Sequence, residues 1–182
     1  PELTTSRICG PCHEAIYDDW RASRYRQQAV TCQHCHMRQD DDPEGPASHL
    51  CRGGHDPATV RSGIRMECRR AADELIVSLA NETTGHNFPG ERHNRVLLVR
   101  VIERTPTGEI VLARQEMIKD VTPFRGESSA ERIRAGETAE ARFPIVETPV
   151  TAEVRLLYKR FPWLTDGDAL EVHRAEMRLE GP

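Results

Sequence analysis

Residues 9 to 36 read CGPCHEAIYDDWRASRYRQQAVTCQHCH and place four of the chain's six cysteines in two copies of one motif, Cys-x-x-Cys-His. The first copy is Cys9, Cys12 and His13; the second is Cys32, Cys35 and His36. This is the spacing of covalent c-type haem attachment. The two thiols reach the two vinyl carbons on one edge of a porphyrin, and the residue that follows presents an imidazole to the iron. Two Cys-x-x-Cys pairs with 19 residues between them also suit a four-thiolate zinc site. A single pair can serve thioredoxin-like redox chemistry, and two disulfides are the plain structural alternative. A thiolate tetrahedron around zinc needs no histidine, however. With 8 histidines in 182 residues, finding one after both pairs by chance has a probability of about 0.002. No βαβ pattern surrounds Cys9, which disfavours the thioredoxin reading. The expectation is two haem c groups, with His13 and His36 as proximal iron ligands.

Residues 1–63 hold both motifs and few Leu, Ile or Val, too few to build a core from side chains alone. Two porphyrins would supply the missing apolar surface. After His13, the stretch EAIYDDWRASRYRQQ predicts a helix that puts Ile16, Tyr17 and Trp20 on the face of His13, with Tyr17 and Trp20 against porphyrin. From residue 64 the pattern changes to β. Leu75, Val77 and Leu79 alternate with Ile76, Ser78 and Ala80, and residues 95–102 form a nearly continuous apolar run. A Pro-Thr-Gly turn at 106–108 leads into a strand over 110–113. Ala139, Ala141, Phe143 and Ile145 share one face, as do Ala152, Val154, Leu156 and Tyr158, and residues 169–179 close the set. The expected fold class is α+β: a small, mainly helical and loop dihaem domain over 1–63, followed by an antiparallel β-sandwich over 64–182.

A net charge of −4, with Arg and Lys scattered among acidic residues, leaves no basic stripe for nucleic acid. Asp40 to Asp42, followed by Pro43, Gly45 and Pro46, read as a solvated acidic loop. No apolar run approaches the ~20 residues of a membrane span, and no signal peptide is present. Covalent haem attachment takes place outside the cytoplasm, so a periplasmic or extracellular protein with a cleaved export signal is expected. In that compartment the two remaining cysteines, Cys51 and Cys68, are expected to pair as a disulfide, with free thiols as the next alternative and a single-thioether haem last. The β region lacks clustered catalytic residues. His173 reads as a surface histidine, and Asp166 and Asp168 as turn carboxylates around Gly167.

The run from Cys9 to His36, through Tyr17, Trp20 and Ser23, resembles the pattern Cys-x-x-Cys-His-x-x-x-Tyr-x-x-Trp-x-x-Ser-x-His of the periplasmic and extracellular multihaem cytochromes c. Tyr25 occupies the place of the last histidine, which in such proteins commonly serves as an axial ligand. His49-Leu50-Cys51-Arg52-Gly53-Gly54-His55 resembles a His-x-x-x-Gly-Gly-His loop of some members. Thr84-Gly85-His86-Asn87-Phe88-Pro89-Gly90 resembles a Gly-His-x-x-Pro turn of members that carry a β-sandwich after the haem region, and the resemblance implies that its histidine can supply an iron ligand.

The distal ligands can be narrowed. His34 is caught inside its own attachment loop and Met37 adjoins His36, which leaves His49, His55, His86 and His93. His86 leads because Gly85, Pro89 and Gly90 would hold it in a tight turn. Tyr25 is expected to pack, with haem ligation as its alternative. The expected function is electron transfer between neighbouring haems and redox protein partners or other cytochrome subunits, with homo-oligomers possible. Two alternatives stand beside it. One is a redox enzyme or sensor for a small molecule such as nitrite, hydroxylamine or peroxide, at a haem with an open or Tyr-held position. The other is a subunit of an extracellular cytochrome assembly.

Overall fold

The computed structural model describes residues 2–38, 47–90, 95–117, 132–145 and 150–179. Short 3-10 turns at Glu2–Thr4 and Ser6–Cys9 lead into four helices: α1 (Glu14–Ala22), α2 (Arg24–Gln27), α3 (Cys32–His36) and α4 (Pro57–Ser62). The continuous helix expected after His13 is broken at Ser23, whose backbone is extended (φ −84°, ψ 163°). The Ser23 hydroxyl donates to the Trp20 carbonyl at 2.8 Å, the local competition with the helix ladder for which serine is suited. The break redirects the chain, so the position of Tyr25 is set by α2 and not by an extension of α1. The acidic stretch Asp40 to Asp42 and His93 lie outside the described residues.

Among the described residues seven strands follow, β1 (Arg65–Ala71), β2 (Glu74–Ala80), β3 (Val96–Arg104), β4 (Ile110–Met117), β5 (Thr138–Pro144), β6 (Val150–Lys159) and β7 (Leu170–Leu179). They form two antiparallel sheets, ordered β1-β2-β5 and β4-β3-β6-β7. The fold is thus mixed α+β. Period-two alternation decides which side chains face inward: Leu75, Val77, Leu79, Ala141 and Phe143 from one sheet meet Leu97, Val99, Val101, Ala152, Val154, Leu156 and Tyr158 from the other in one core. Each fully buried aliphatic or aromatic side chain there contributes about 1.5–3 kcal/mol. β1 was not legible in the sequence, since RMECRRA is mostly charged. It is an edge strand of the smaller sheet, where only Met66 and Cys68 need reach the core.

Two expectations need correction. Cys51 and Cys68 are free thiols, not a disulfide. Cys68 sits within β1 opposite Val77 and packs against the core between the sheets, whereas Cys51 is an exposed loop residue close enough to Cys9 to act on its ionisation. Tertiary placement, not sequence distance, separates them. His173 is half-buried, and its Nε2–H donates to the Ile64 carbonyl at 2.6 Å, tying β7 to the entry of β1.

α4 joins the helical region to the sheets. Asp56 caps it, accepting from the Thr59 amide at 2.8 Å, and Pro57 occupies its first turn. Val60 and Ile64 enter the core, and Arg61 donates to the Glu171 carbonyl at 3.2 Å. No helix among the described residues is long and apolar enough to cross a membrane.

Candidate metal centre

The second motif forms a helix of its own. Thr31 caps α3 by accepting from the His34 amide at 3.2 Å, and Ser6 anchors its start by accepting from the Cys32 amide at 2.9 Å. Gln33 reaches back with its Nε2 to the carbonyls of Leu3 (3.1 Å) and Thr5 (2.8 Å). The chain after α3 folds back along it, with backbone bonds from Ser48 to the Met37 carbonyl (2.6 Å) and from Arg52 to the His36 carbonyl (3.0 Å). This return places the Arg52 carbonyl on His36 Nδ1 in a short hydrogen bond. A carbonyl can only accept, so Nδ1 carries the proton and Nε2 is left with its lone pair.

His86 stands opposite, on the turn after β2. Asn81, fully buried at the end of that strand's run, donates through Nδ2 to the carbonyls of His86 and Ile133, both at 2.9 Å. Thr84 adds a second hydrogen bond to the His86 carbonyl at 2.7 Å. The His86 ring donates from Nδ1 to the Asn87 carbonyl at 2.9 Å, which again leaves Nε2 free. Burial, the largest influence, holds the His86 pKa below the ordinary histidine value, which favours the neutral imidazole. Residues from α1 and α2 close over the turn: a Cβ at Gly85 would come within 3.1 Å of the Trp20 ring, so a larger residue there would have to push Trp20 aside.

The two rings face one another with centres 6.2 Å apart and planes 15° from parallel. Two metal–imidazole bonds of about 2 Å each, with roughly 1 Å from each coordinating nitrogen to its ring centre, also set ring centres about 6 Å apart. Ordinary offset aromatic contacts reach this distance as well. A ligating histidine characteristically donates its other ring N–H to a carbonyl or carboxylate. Both rings do so.

A second observation bears on whether a haem fits. From Leu3 to Arg38 the only buried residues are Ser6 and Ser23, both polar. Helices α1, α2 and α3 bury no residue, and Leu3, Ile8 and Leu50 are left 76%, 48% and 67% exposed. A region that leaves its apolar side chains exposed instead of packing them on one another fits a large apolar group. Four thiolates around zinc fit less well, since no three His, Cys, Asp or Glu side chains among the described residues converge as a metal cage requires.

The remaining expected residues are distributed as follows. His13 caps the start of α1 and is exposed; Cys12 and Cys35 are exposed, and Cys9 and Cys32 half-buried. Cys9 has the Cys32 thiol as its hydrogen-bonding neighbour, and burial, then Cys32, push its pKa up to about 11. The two motifs therefore meet at their first cysteines. Tyr17 and Trp20 lie against each other, ring centres 5.6 Å apart, and Trp20 Nε1 donates to the Val30 carbonyl at 2.9 Å. The Tyr25 hydroxyl donates to the Glu82 carbonyl at 2.9 Å, which binds α2 to the loop before His86. His49 and His55 are exposed on the returning loop. That loop is pinned at Gly54, whose carbonyl accepts from Tyr158 Oη (3.1 Å) and Arg95 Nη1 (3.3 Å). Asp19, Asn81, Asn87 and Arg132 were not anticipated. The one available signal was the density of small polar residues in Asn81-Glu82-Thr83-Thr84 just before Gly85-His86.

The structure of a penta-haem cytochrome c552 from Thermochromatium tepidum aligns with 98% of this chain and 57% of its own length, at a TM-score of 0.72 and 18% sequence identity. This chain shares its fold with a multihaem c-type cytochrome. It spans little more than half the length of that protein. A superoxide reductase from Nanoarchaeum equitans (12% identity, 70% of this chain, 98% of that one, TM-score 0.38) and a hypothetical protein from Pyrococcus horikoshii (11%, 64% and 85%, 0.34) match too loosely to bear on the fold. No protein-family model and no curated protein matches the sequence.

Proposed function

We propose that the protein is an extracytoplasmic electron-transfer protein carrying two covalent haems. Cys9 and Cys12 would hold one, with His13 on its iron; Cys32 and Cys35 would hold the other, between His36 and His86. The observation that carries this reading is the facing pair of imidazoles, each with Nδ1 committed to a carbonyl and Nε2 free. When bound, a c-type haem supplies a one-electron couple between ferric and ferrous iron.

The chain's own residues hold that couple in place. Arg52 and Asn87 fix the two ring tautomers, Asn81 and Thr84 hold the backbone of the His86 turn, and the contact of Cys9 with Cys32 keeps the attachment edges of the two motifs adjacent. In this reading residues 1–63 are the dihaem domain, and residues 64–182 a β-sandwich that lends an iron ligand and so stays docked. Partners are redox proteins or further cytochrome subunits. The small-molecule enzyme reading rests on Tyr25, whose hydroxyl donates to the Glu82 carbonyl.

Intact mass after denaturation is expected to exceed the polypeptide by two haems, and His86→Ala to turn one haem from low to high spin with both still attached. A polypeptide of unmodified mass that binds zinc would end this reading. Two unchanged low-spin haems in the variant would remove His86 from the centre.

A further inference from the structure

Asp19 belongs to α1, the helix that the first attachment motif leads into, yet its carboxylate serves the turn that carries His86. Oδ1 accepts from Asn87 Nδ2 at 3.0 Å, and Oδ2 accepts from the Asn87 amide and from Arg132 Nη1, both at 3.3 Å. The two charged side chains keep only 17% (Asp19) and 24% (Arg132) of their exposure. Asn87 therefore connects two partners. It is gripped by Asp19 through its side chain and amide, and it grips the His86 ring through its carbonyl.

We propose that Asp19 is the positioning residue for His86, orienting the ring through Asn87 and, together with Arg132, setting the reduction potential of the iron that this imidazole binds. A helix belonging to one attachment motif thereby tunes the metal centre of the other. The inference rests on the functional reading above and adds the residues that control it. Groups behind a ligating histidine govern its orientation and basicity, and hence the potential of the metal. A half-buried charge is screened much less than an exposed one, so a carboxylate and a guanidinium at this depth act on the iron with opposite signs. Asp19 favours the ferric state, with its extra positive charge; Arg132 favours the ferrous state.

A plain ion pair that only docks α1 against the sheets has the same geometry, and the sign of the effect tells the two apart. The haem-loaded protein and its Asp19→Asn, Asp19→Ala and Arg132→Gln variants are compared by potentiometric titration followed in visible absorption, and by low-temperature electron paramagnetic resonance. Asp19→Asn retains an acceptor for Asn87 and removes the charge. The His36/His86 haem is expected to stay low spin while its potential rises. Arg132→Gln is expected to lower it, and the other haem to move less in both variants. Asp19→Ala also frees Asn87 and should alter the resonance signature of that one centre.

Shifts of the same direction in Asp19→Asn and Arg132→Gln, or none in either, would overturn the inference, and so would an unchanged resonance signature in Asp19→Ala. The two charge-removing variants keep the test decisive if the alanine variant fails to fold. His86→Ala serves as the control. If it leaves both haems low spin, the functional reading falls and this inference with it; if it turns one high spin while the Asp19 and Arg132 variants do nothing, the inference alone falls.

Discussion

Between Leu3 and Arg38 the buried residues are Ser6 and Ser23, whereas the seven-residue strand β2 alone buries Leu75, Ile76, Val77, Leu79 and Ala80. The sheets carry their own core. Even the outward-facing Ile76 is covered, lying in register between Arg69 and Arg142, whose aliphatic stems can shield it. The helical region is held instead by polar stitches: Cys32 to Ser6, Gln33 to Leu3 and Thr5, Trp20 to Val30. Such hydrogen bonds give a net of about 0.5–1.5 kcal/mol each, while ordering a residue's backbone costs about 1–2 kcal/mol. Stitches alone cannot order some thirty-five residues. The difference teaches that one half of the molecule folds on its side chains, while the other lacks such a core and, in the proposed function, gains it from the bound haems.

The sharpest way to break this comparison is to remove all four attachment thiols with Cys9→Ala, Cys12→Ala, Cys32→Ala and Cys35→Ala. Amides of α1 and α3 are predicted to lose their protection against hydrogen exchange, while those of β2, β3 and β6 keep theirs. A protected α1 in the haem-free chain would show that the helical region supports itself.

The opposite cut should act on the sheets. Leu156 is fully buried between them, so Leu156→Ala is predicted to cost about 2–5 kcal/mol, read as a lower denaturant midpoint for the β-sheet signal. A cost well under 1 kcal/mol would mean that the core between the sheets is loosely packed.

The mildest test uses the two cysteines outside the motifs. Burial pushes the Cys68 pKa from 9.0 up to about 11, whereas Cys51 is exposed. The raised value means fewer thiolates at any pH below it: at pH 8 Cys68 should hold roughly 100-fold less thiolate than an unperturbed thiol, and its labelling should quicken as pH rises. Iodoacetamide is therefore predicted to modify Cys51 first without prior reduction, and Cys68 only slowly until the sheets unfold. Equal rates would place both in one environment; no labelling of either before reduction would restore the disulfide.

What the sequence by itself determined is what depends on spacing. The thiol pairs with their histidines are local chemistry, and inward faces such as Ala152, Val154, Leu156 and Tyr158 follow from the period of a strand. The Gly85-His86 turn could be singled out because glycine and proline mark turns locally. What only the tertiary structure decided is everything that joins distant segments. Charged β1 becomes a strand because β2 offers it an edge, and Ser23 divides a helix whose periodicity runs on through it. Cys68 packs from β1 against the core, while Cys51 is exposed and lies near Cys9. Asp19 reaches Asn87 across 68 residues of chain, and Arg132 across 113, to stand behind a histidine that neither neighbours in sequence. No periodicity carries such a pairing, because its energy comes from partly buried charge and hydrogen bonding that exist only once α1 and the His86 turn have packed together.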